Sequence, residues 1–466
     1  MPTAILPDSF LTLLSAFAPC FHAPSYQNFV TLVAGWVHCL GRRTVTAAVL
    51  AAGATETRHL SVYHRFFSRA QWTLDAVGRV VFGLALAWLP EHQPLAVILD
   101  DTLCRKGGKG ISGATMHHDP LRSTRRKPFF SFGHVWVVLA VWVPLPLGAG
   151  RGFALPVLFR LYRSSQRGGT ADGPARRTRG LRARAAQADH TATPRPTKLE
   201  LAREMVAIVA AWAGERPVGV VADSLYAGRT MLEARPANVH LISRLRLDAA
   251  LWTVPAKRRP GQRGRSRRRG VRLPTPAALA TACRRWQRVS VMLYGRRVAT
   301  QVFVCRALWY VALRDQPVRI VIVRDPTGRR QDEAFFCTDL TLDAAAILEI
   351  YARRWTLEVT FHDAKQALGF EDPQNQNAQA IRQTAPLACI VYSLVLVWAA
   401  GRVQQGATLR WVQRPWYPSK AAPSFLDLLT ALRVAGWRCY ISDPPSPAQC
   451  PNKSAMAWPD AVLATA

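Results

Sequence analysis

The chain has 466 residues, 49% of them hydrophobic, with 61 Lys and Arg against 29 Asp and Glu, a formal net charge of +32 and a pI near 11.1. A chain this rich in apolar residues is not predominantly disordered. A surface this basic repels itself unless a polyanion neutralises it, so nucleic acid is the expected partner and an anionic membrane surface the rival. The nine cysteines are scattered, odd in number and form no C-x-x-C pair, which argues against a zinc module or disulfide frame and for reduced thiols in a cytoplasm.

In chain order, MPTAILPDSFLTLL has no basic residue ahead of its apolar positions, so no signal peptide is expected. Residues 1–90 read as helices: Phe10, Leu11, Leu13, Leu14 and Phe17 recur at helical spacing, and a second apolar helix runs from Tyr26 to Leu40. Gly41, Arg42 and Arg43 then form a turn before Thr44, which can cap a third helix. This order suits a helix-turn-helix DNA reader or an ordinary helical hairpin. Leu95–Leu99 is a short apolar run ending in Asp100, Asp101 and Thr102, the pattern of a buried strand that presents acids at its C-terminal end. The Gly/Lys loop after Arg105 lacks P-loop spacing.

Residues 129–142 and 153–162 read as further strands, 163–196 as a basic loop, and 198–213 as an amphipathic helix. Val218–Val221 is another buried strand, ending near Asp223; a short helix from Gly228 and a strand at Val239–Ile242 follow. Residues 251–274 are Arg-rich and read as loop throughout. Strands are expected at 289–293, 298–305, 309–313, 319–323 and 334–338. The apolar run 385–400 is short for a membrane span and reads better as a buried helix. A last helix is expected at 424–434, with a Pro-rich tail beyond it.

The stretch YARRWTLEVTFHDAK, Tyr351 to Lys365, carries the most chemistry. On one continuous helix of about 3.6 residues per turn, Tyr351, Glu358 and Lys365 stack on one face, with Arg354 beside them. A carboxylate flanked by a phenol, a guanidinium and an ammonium suits a metal ion held next to a phosphate; a solvated face with ion pairs is the plain alternative.

Asp101 before Thr102, Asp223 in VVADSLYAG, and the Tyr351, Arg354, Glu358, Lys365 signature together resemble bacterial insertion-sequence transposases of the DDE type. The resemblance is to the insertion-sequence-4-like supergroup with the Y-R-E-K signature, and within it to insertion-sequence-701-like members; the long Arg-rich stretches depart from that pattern. It implies an α/β, ribonuclease-H-like mixed sheet flanked by helices, interrupted by a β-rich insertion and preceded by an all-α region. The expected division is 1–90 helical and DNA-binding, 91–245 first part of the catalytic domain, 246–340 basic loop and β-rich insertion, 341–440 helical part with the signature helix, and 441–466 a disordered tail.

By the same resemblance, Asp101, Asp223 and Glu358 are the catalytic and metal-binding acids, with Asp100 as a supporting acid or alternative ligand. Tyr351, Arg354 and Lys365 would contact terminal DNA phosphates. Two Mg²⁺ ions, with Mn²⁺ able to substitute, would serve cleavage at transposon ends and transfer of the 3′-OH into target DNA. The implied partners are transposon-end and target DNA and a second copy of the chain, and no membrane; the implied location is the cytoplasm, at the bacterial nucleoid. The rivals are a nuclease on the same fold without strand transfer, an inactive DNA-binding remnant, and a membrane-surface protein. Trp309 is a candidate to shelter a flipped base, and His117, His118 and Asp119 are a weak candidate zinc set. Asp363 is expected to be solvated, and His362 to make a DNA or structural hydrogen bond.

Overall fold

Leu95–Leu99 is apolar on both faces, and it forms the core of β1 (Leu95–Arg105), the strand around which the protein is built. The computed structural model describes residues 5–442 except 109, 125, 149, 164–194, 234, 257–264, 266 and 412. One flank of β1 pairs antiparallel with β3 (Phe130–Val143), which in turn pairs antiparallel with β4 (Phe153–Tyr162). Its other flank pairs parallel with β5 (Val218–Ala222), and β5 pairs parallel with β6 (Val239–Leu245). The order β4-β3-β1-β5-β6, antiparallel on one side of β1 and parallel on the other, is the ribonuclease-H-like core. β2 (Thr115–His118) adds to the far end of β3.

The β-rich segment extends this sheet. β12 (Glu333–Cys337) pairs antiparallel with β6, and β11 (Pro317–Arg324) and β10 (Arg296–Leu308) follow in order. β9 (Gln287–Leu293) pairs with β10 as a hairpin. The Arg-rich stretch expected to be loop throughout contributes two short strands, β7 (Leu251–Trp252) and β8 (Arg272–Leu273), which pair with each other. Lys257, Arg258, Arg259 and Arg263 between them lie outside the described residues, as do most of 163–196 and the tail beyond 442. Residues 309–313, expected as a strand, contain a short helix instead, Tyr310–Leu313. The β10–β11 ladder closes at Leu308 opposite Pro317, so the chain must reverse there; Arg314, at φ 50°, completes the turn.

The helices are α1 (Asp8–Ser15), α2 (Ala23–His38), α3 (Val45–Ala51), α4 (Leu60–Ser68), α5 (Leu74–Leu86), α6 (Lys198–Ala213), α7 (Arg229–Glu233), α8 (Pro276–Ala282), α9 (Tyr310–Leu313), α10 (Ala344–Ala352), α11 (Trp355–Leu368), α12 (Ala378–Gln404) and α13 (Phe425–Ser442). Thr44 caps α3, its hydroxyl accepting from Ala47 N at 3.1 Å. α2 and α3 meet at Gly35, where a Cβ would lie 1.8 Å from the Ala48 carbonyl oxygen. Four of the seven residues of α3, Val45, Ala48, Val49 and Ala51, are buried. The Thr197–Glu200 capping box starts α6.

α12 is long and apolar enough to cross a membrane by length and composition, but its most apolar window is 94% buried inside the protein. It packs against α4, α5, α11, α13 and β4. Core residues of α1 and α2, such as Phe10 and Trp36, join those of β1 and α12 in one hydrophobic cluster. Trp36 also donates to the Leu368 carbonyl at 3.0 Å, tying α2 to the end of α11. A second, smaller core, including Ile242, Val321, Phe335 and Ile347, fills the space between α10 and the extended part of the sheet.

Candidate active site

Asp100 and Asp101 follow the apolar run of β1, and Asp223 follows β5 directly. The parallel ladder pairs Leu99 with Ala222, so Asp100 and Asp223 occupy the next register position on neighbouring strands. Side chains alternate along a strand, and registered neighbours share a face. Asp100 and Asp223 therefore belong to one face of the sheet, and Asp101 to the other.

The contacts follow that division. Asp100 Oδ2 accepts from Arg354 Nη1 at 2.7 Å, and Arg354 Nη2 meets Glu358 Oε1 at 2.7 Å, so one guanidinium bridges the β1 acid and the helix acid. Asp101 instead accepts from Lys198 Nζ and from the Tyr226 hydroxyl, each at 2.7 Å. Lys198 is the first residue of α6, and Tyr226 ends the single 3₁₀ turn Ser224–Tyr226 that Asp223 caps. Asp223 Oδ1 accepts from Ser224 N at 2.7 Å, which orients its carboxylate at the head of that turn.

The signature residues lie on two helices rather than the one expected. α10 ends at Ala352 and α11 begins at Trp355. Between them Arg353, Arg354, Thr356 and Leu357 donate to carbonyls three residues back, a tightened turn with helical dihedrals. Tyr351 packs its ring 4.8 Å from that of Phe335 and lies beside Arg354, whose guanidinium carbon is 6.0 Å from the ring and which also holds Glu358. Lys365, at the far end of α11, donates to the Leu103 carbonyl at 2.7 Å and pairs with Glu371 at 3.1 Å, clamping α11 onto β1.

Burial, reinforced by the Asp101 and Glu358 carboxylates, pushes Asp100 from 3.8 up to about 7 even though Arg354 opposes the shift. Burial alone would lower the Arg354 guanidinium, but Asp100, Glu358 and Tyr351 hold it above its ordinary value. Burial also raises the Tyr351 phenol to about 12. The Tyr226 phenol is raised by burial and by the nearby charges of Asp101, Asp100 and Asp223. Asp223 acts on both phenols, so all the acids of the two strand tips lie in one electrostatic neighbourhood.

These side chains offer a divalent cation hard carboxylate oxygens only, the donor set Mg²⁺ or Mn²⁺ takes. Among the described residues, however, no three His, Cys, Asp or Glu side chains are gathered closely enough to hold an ion. The ion pairs give the reason: Arg354 holds Asp100 and Glu358, and Lys198 draws Asp101 to the opposite face. The donor set fits a hard cation in kind, with protein cations now neutralising its charge.

The other candidates resolve separately. Asp119 is 1% exposed and spent on Arg105 and Ser131, while His117 bonds Thr115 and His118 points outward, so the three form no ligand set. Trp309 is half-buried, edge-on to Phe336 at 5.2 Å. Asp363 is half-buried rather than solvated and bonds the exposed His362 at 3.2 Å. Lys198 and Tyr226 were not singled out from the sequence. For Tyr226 the signal was its place three residues after Asp223, one turn away; for Lys198, 97 residues from its partner in sequence, there was none.

No curated protein matches this sequence. Among solved structures, a piggyBac transposase synaptic complex with hairpin DNA aligns over 96% of this chain and 80% of its own, at 9% identity and a TM-score of 0.39; likeness at that level adds nothing to the topology read directly above. The family described as DDE superfamily endonuclease matches residues 16–298, more than half of the chain and a span that includes Asp100, Asp101 and Asp223. The chain belongs to the DDE superfamily of endonucleases, which generally use divalent metal ions.

Proposed function

We propose that this protein is a DNA transposase that cuts at the ends of a mobile element and joins the freed 3′-OH ends to target DNA. The observation that carries the reading is the adjacency of Asp100 and Asp223 on paired parallel strands, with Arg354 bridging Asp100 to Glu358, in a chain of net charge +32. Asp223 and Glu358 are the expected acids from the second strand and the helix. For the first strand the register favours Asp100 over Asp101, because Asp100 shares the face of Asp223 and the guanidinium of Glu358. Asp101 becomes a positioning residue, fixing Lys198 and Tyr226 behind the tips.

Two divalent ions would supply Lewis-acid stabilisation of the attacking and leaving oxygens of an in-line displacement at phosphorus. The chain's own residues do the rest. Asp100, Asp223 and Glu358 would hold those ions. Arg354 Nε is buried without a hydrogen-bond partner, a donor available to a DNA phosphate oxygen once the carboxylates turn to metal. Lys365 holds α11 against β1, the strand that carries Asp100. Attack by water breaks the phosphorus–3′-oxygen bond and leaves a 3′-OH and a 5′-phosphate. Attack of that 3′-OH on a target phosphate repeats the same displacement, without a covalent protein–DNA bond. Both transposon ends need an active site, so at least two protomers assemble on DNA.

The test is incubation of the purified chain with the DNA flanking its gene, a supercoiled target and Mg²⁺. The reading predicts end cleavage and joint molecules, lost with chelator and in Asp223→Asn. Cleavage of pre-nicked ends without joint molecules would replace it with a nuclease lacking strand transfer. Metal-dependent cleavage at wild-type rate by Asp223→Asn would remove the mechanism.

A further inference from the structure

A cavity of about 430 Å³ lies where the edge of the sheet meets α5, α6 and α12; its described lining includes none of Asp100, Asp101, Asp223 and Glu358. Its volume is within the roughly 300–1,000 Å³ of small-molecule sites. Three of its lining residues carry buried polar atoms with no hydrogen-bond partner: Trp136 Nε1, Arg163 Nε and Nη2, and Gln383 Oε1. Trp136 is 1% exposed and Gln383 7%, and leaving such groups unpaired in the interior is costly. Buried polar groups in folded proteins are otherwise almost always satisfied, so three in one cavity point to an occupant.

The donors and acceptors specify its chemistry. Gln383 Nε2 donates to the Trp72 carbonyl at 3.1 Å, which fixes the amide and leaves Oε1 as an acceptor. Trp136 Nε1 is a donor only. Arg163 offers two free donors, and the charges of Arg382 and Arg195 both act on it. Arg160, also in the lining, is already neutralised by Asp75 and Glu204. Among the described lining residues there is no carboxylate, so the charge facing the cavity is positive and calls for an anion. Phe159 and Leu161 supply apolar wall.

We propose that this cavity binds one nucleoside monophosphate, its phosphate on Arg163 and Arg382 and its base edge between Trp136 Nε1–H and Gln383 Oε1. The ligand is either a free nucleotide or an unpaired nucleotide of bound DNA. Trp136 is the register partner of Thr102, next to Asp101, so the cavity and the acids share the same pair of strands. The inference does not depend on metal binding or strand transfer.

Equilibrium dialysis of the full chain tests it, at salt high enough to screen exposed charge. The probes are dAMP, inorganic phosphate and deoxyadenosine, each alone. One dAMP per chain is expected, bound at least about tenfold more tightly than either fragment. Gln383→Met should weaken dAMP about tenfold, equivalent to about 1.4 kcal/mol, while leaving phosphate unchanged. Arg163→Gln, at the partly exposed mouth, should weaken both with an unaltered melting temperature. A single-stranded oligonucleotide that displaces dAMP from the wild type identifies the occupant as part of DNA; failure to displace identifies a free nucleotide. Absence of stoichiometric dAMP binding, or dAMP binding unchanged in both variants, overturns the proposal.

Discussion

Replacing Asp100 with Asn separates a residue that serves catalysis from one that serves the fold. Removing one partner of a buried ion pair ordinarily costs about 3–5 kcal/mol. Here Arg354 keeps Glu358, so no charge is stranded. On the other side stands the cost of ionising Asp100 in the folded state, where its pKa rises from 3.8 to about 7. A carboxyl raised in this way stabilises fully below pH 3.8, and that contribution is lost as pH rises through 7, because the unfolded chain releases the proton first. Each unit is about 1.4 kcal/mol, so the full loss is about 4 kcal/mol, of which about 3 kcal/mol falls between pH 5 and 8. Asn does not titrate. The stability of Asp100→Asn relative to wild type should therefore improve by about 3 kcal/mol from pH 5 to pH 8, measured by urea unfolding with chelator present. The same variant should lose metal-dependent DNA cleavage. Parallel pH profiles for the two proteins would refute the burial argument, and full cleavage activity would refute the assignment of Asp100.

Arg354→Lys keeps the charge but not the fork that bridges Asp100 and Glu358; DNA cleavage should fall by about 10²-fold or more, with a melting temperature near wild type. His38 is buried, donates from Nε2 to the Ile5 carbonyl at 2.9 Å, and is lowered from 6.5 to about 4, chiefly by burial. Its neutral form is the folded one, so about 3 kcal/mol of stability present above pH 6.5 is lost as pH falls through 4, and His38→Gln should flatten that slope in acid unfolding. Gly78→Ala would place a Cβ 1.8 Å from the Val157 carbonyl oxygen and force α5 off β4; a loss of about 1–3 kcal/mol or more in urea unfolding is expected.

The central strands were legible because apolar runs such as Leu95–Leu99 and Val218–Val221 have one physical solution, burial on both faces. α6 was legible for a similar reason, since Thr197 and Glu200 mark its start and its apolar spacing carries it to Ala213. Residues 309–313 were misread because Trp309 and Val311 have strand propensity, whereas the fold needs a reversal between β10 and β11. The choice between Asp100 and Asp101 lay beyond sequence pattern. Adjacent residues on a strand face opposite ways, and only the register with β5 says which one meets Glu358. The break at Arg353 and Arg354 was hidden likewise, because helical dihedrals persist through it and only the hydrogen bonds shift from four residues to three.

In the proposed enzyme Asp100, Asp223 and Glu358 close on a common metal site. Loading the full chain with Fe²⁺ in place of Mg²⁺ and adding ascorbate and peroxide cuts the backbone wherever the ion resides. Backbone cuts are expected near residues 100, 223 and 358, suppressed together by excess Mg²⁺ and by Asp223→Asn. Cuts elsewhere in the chain, or cuts at these positions that survive Asp223→Asn unchanged, would contradict it.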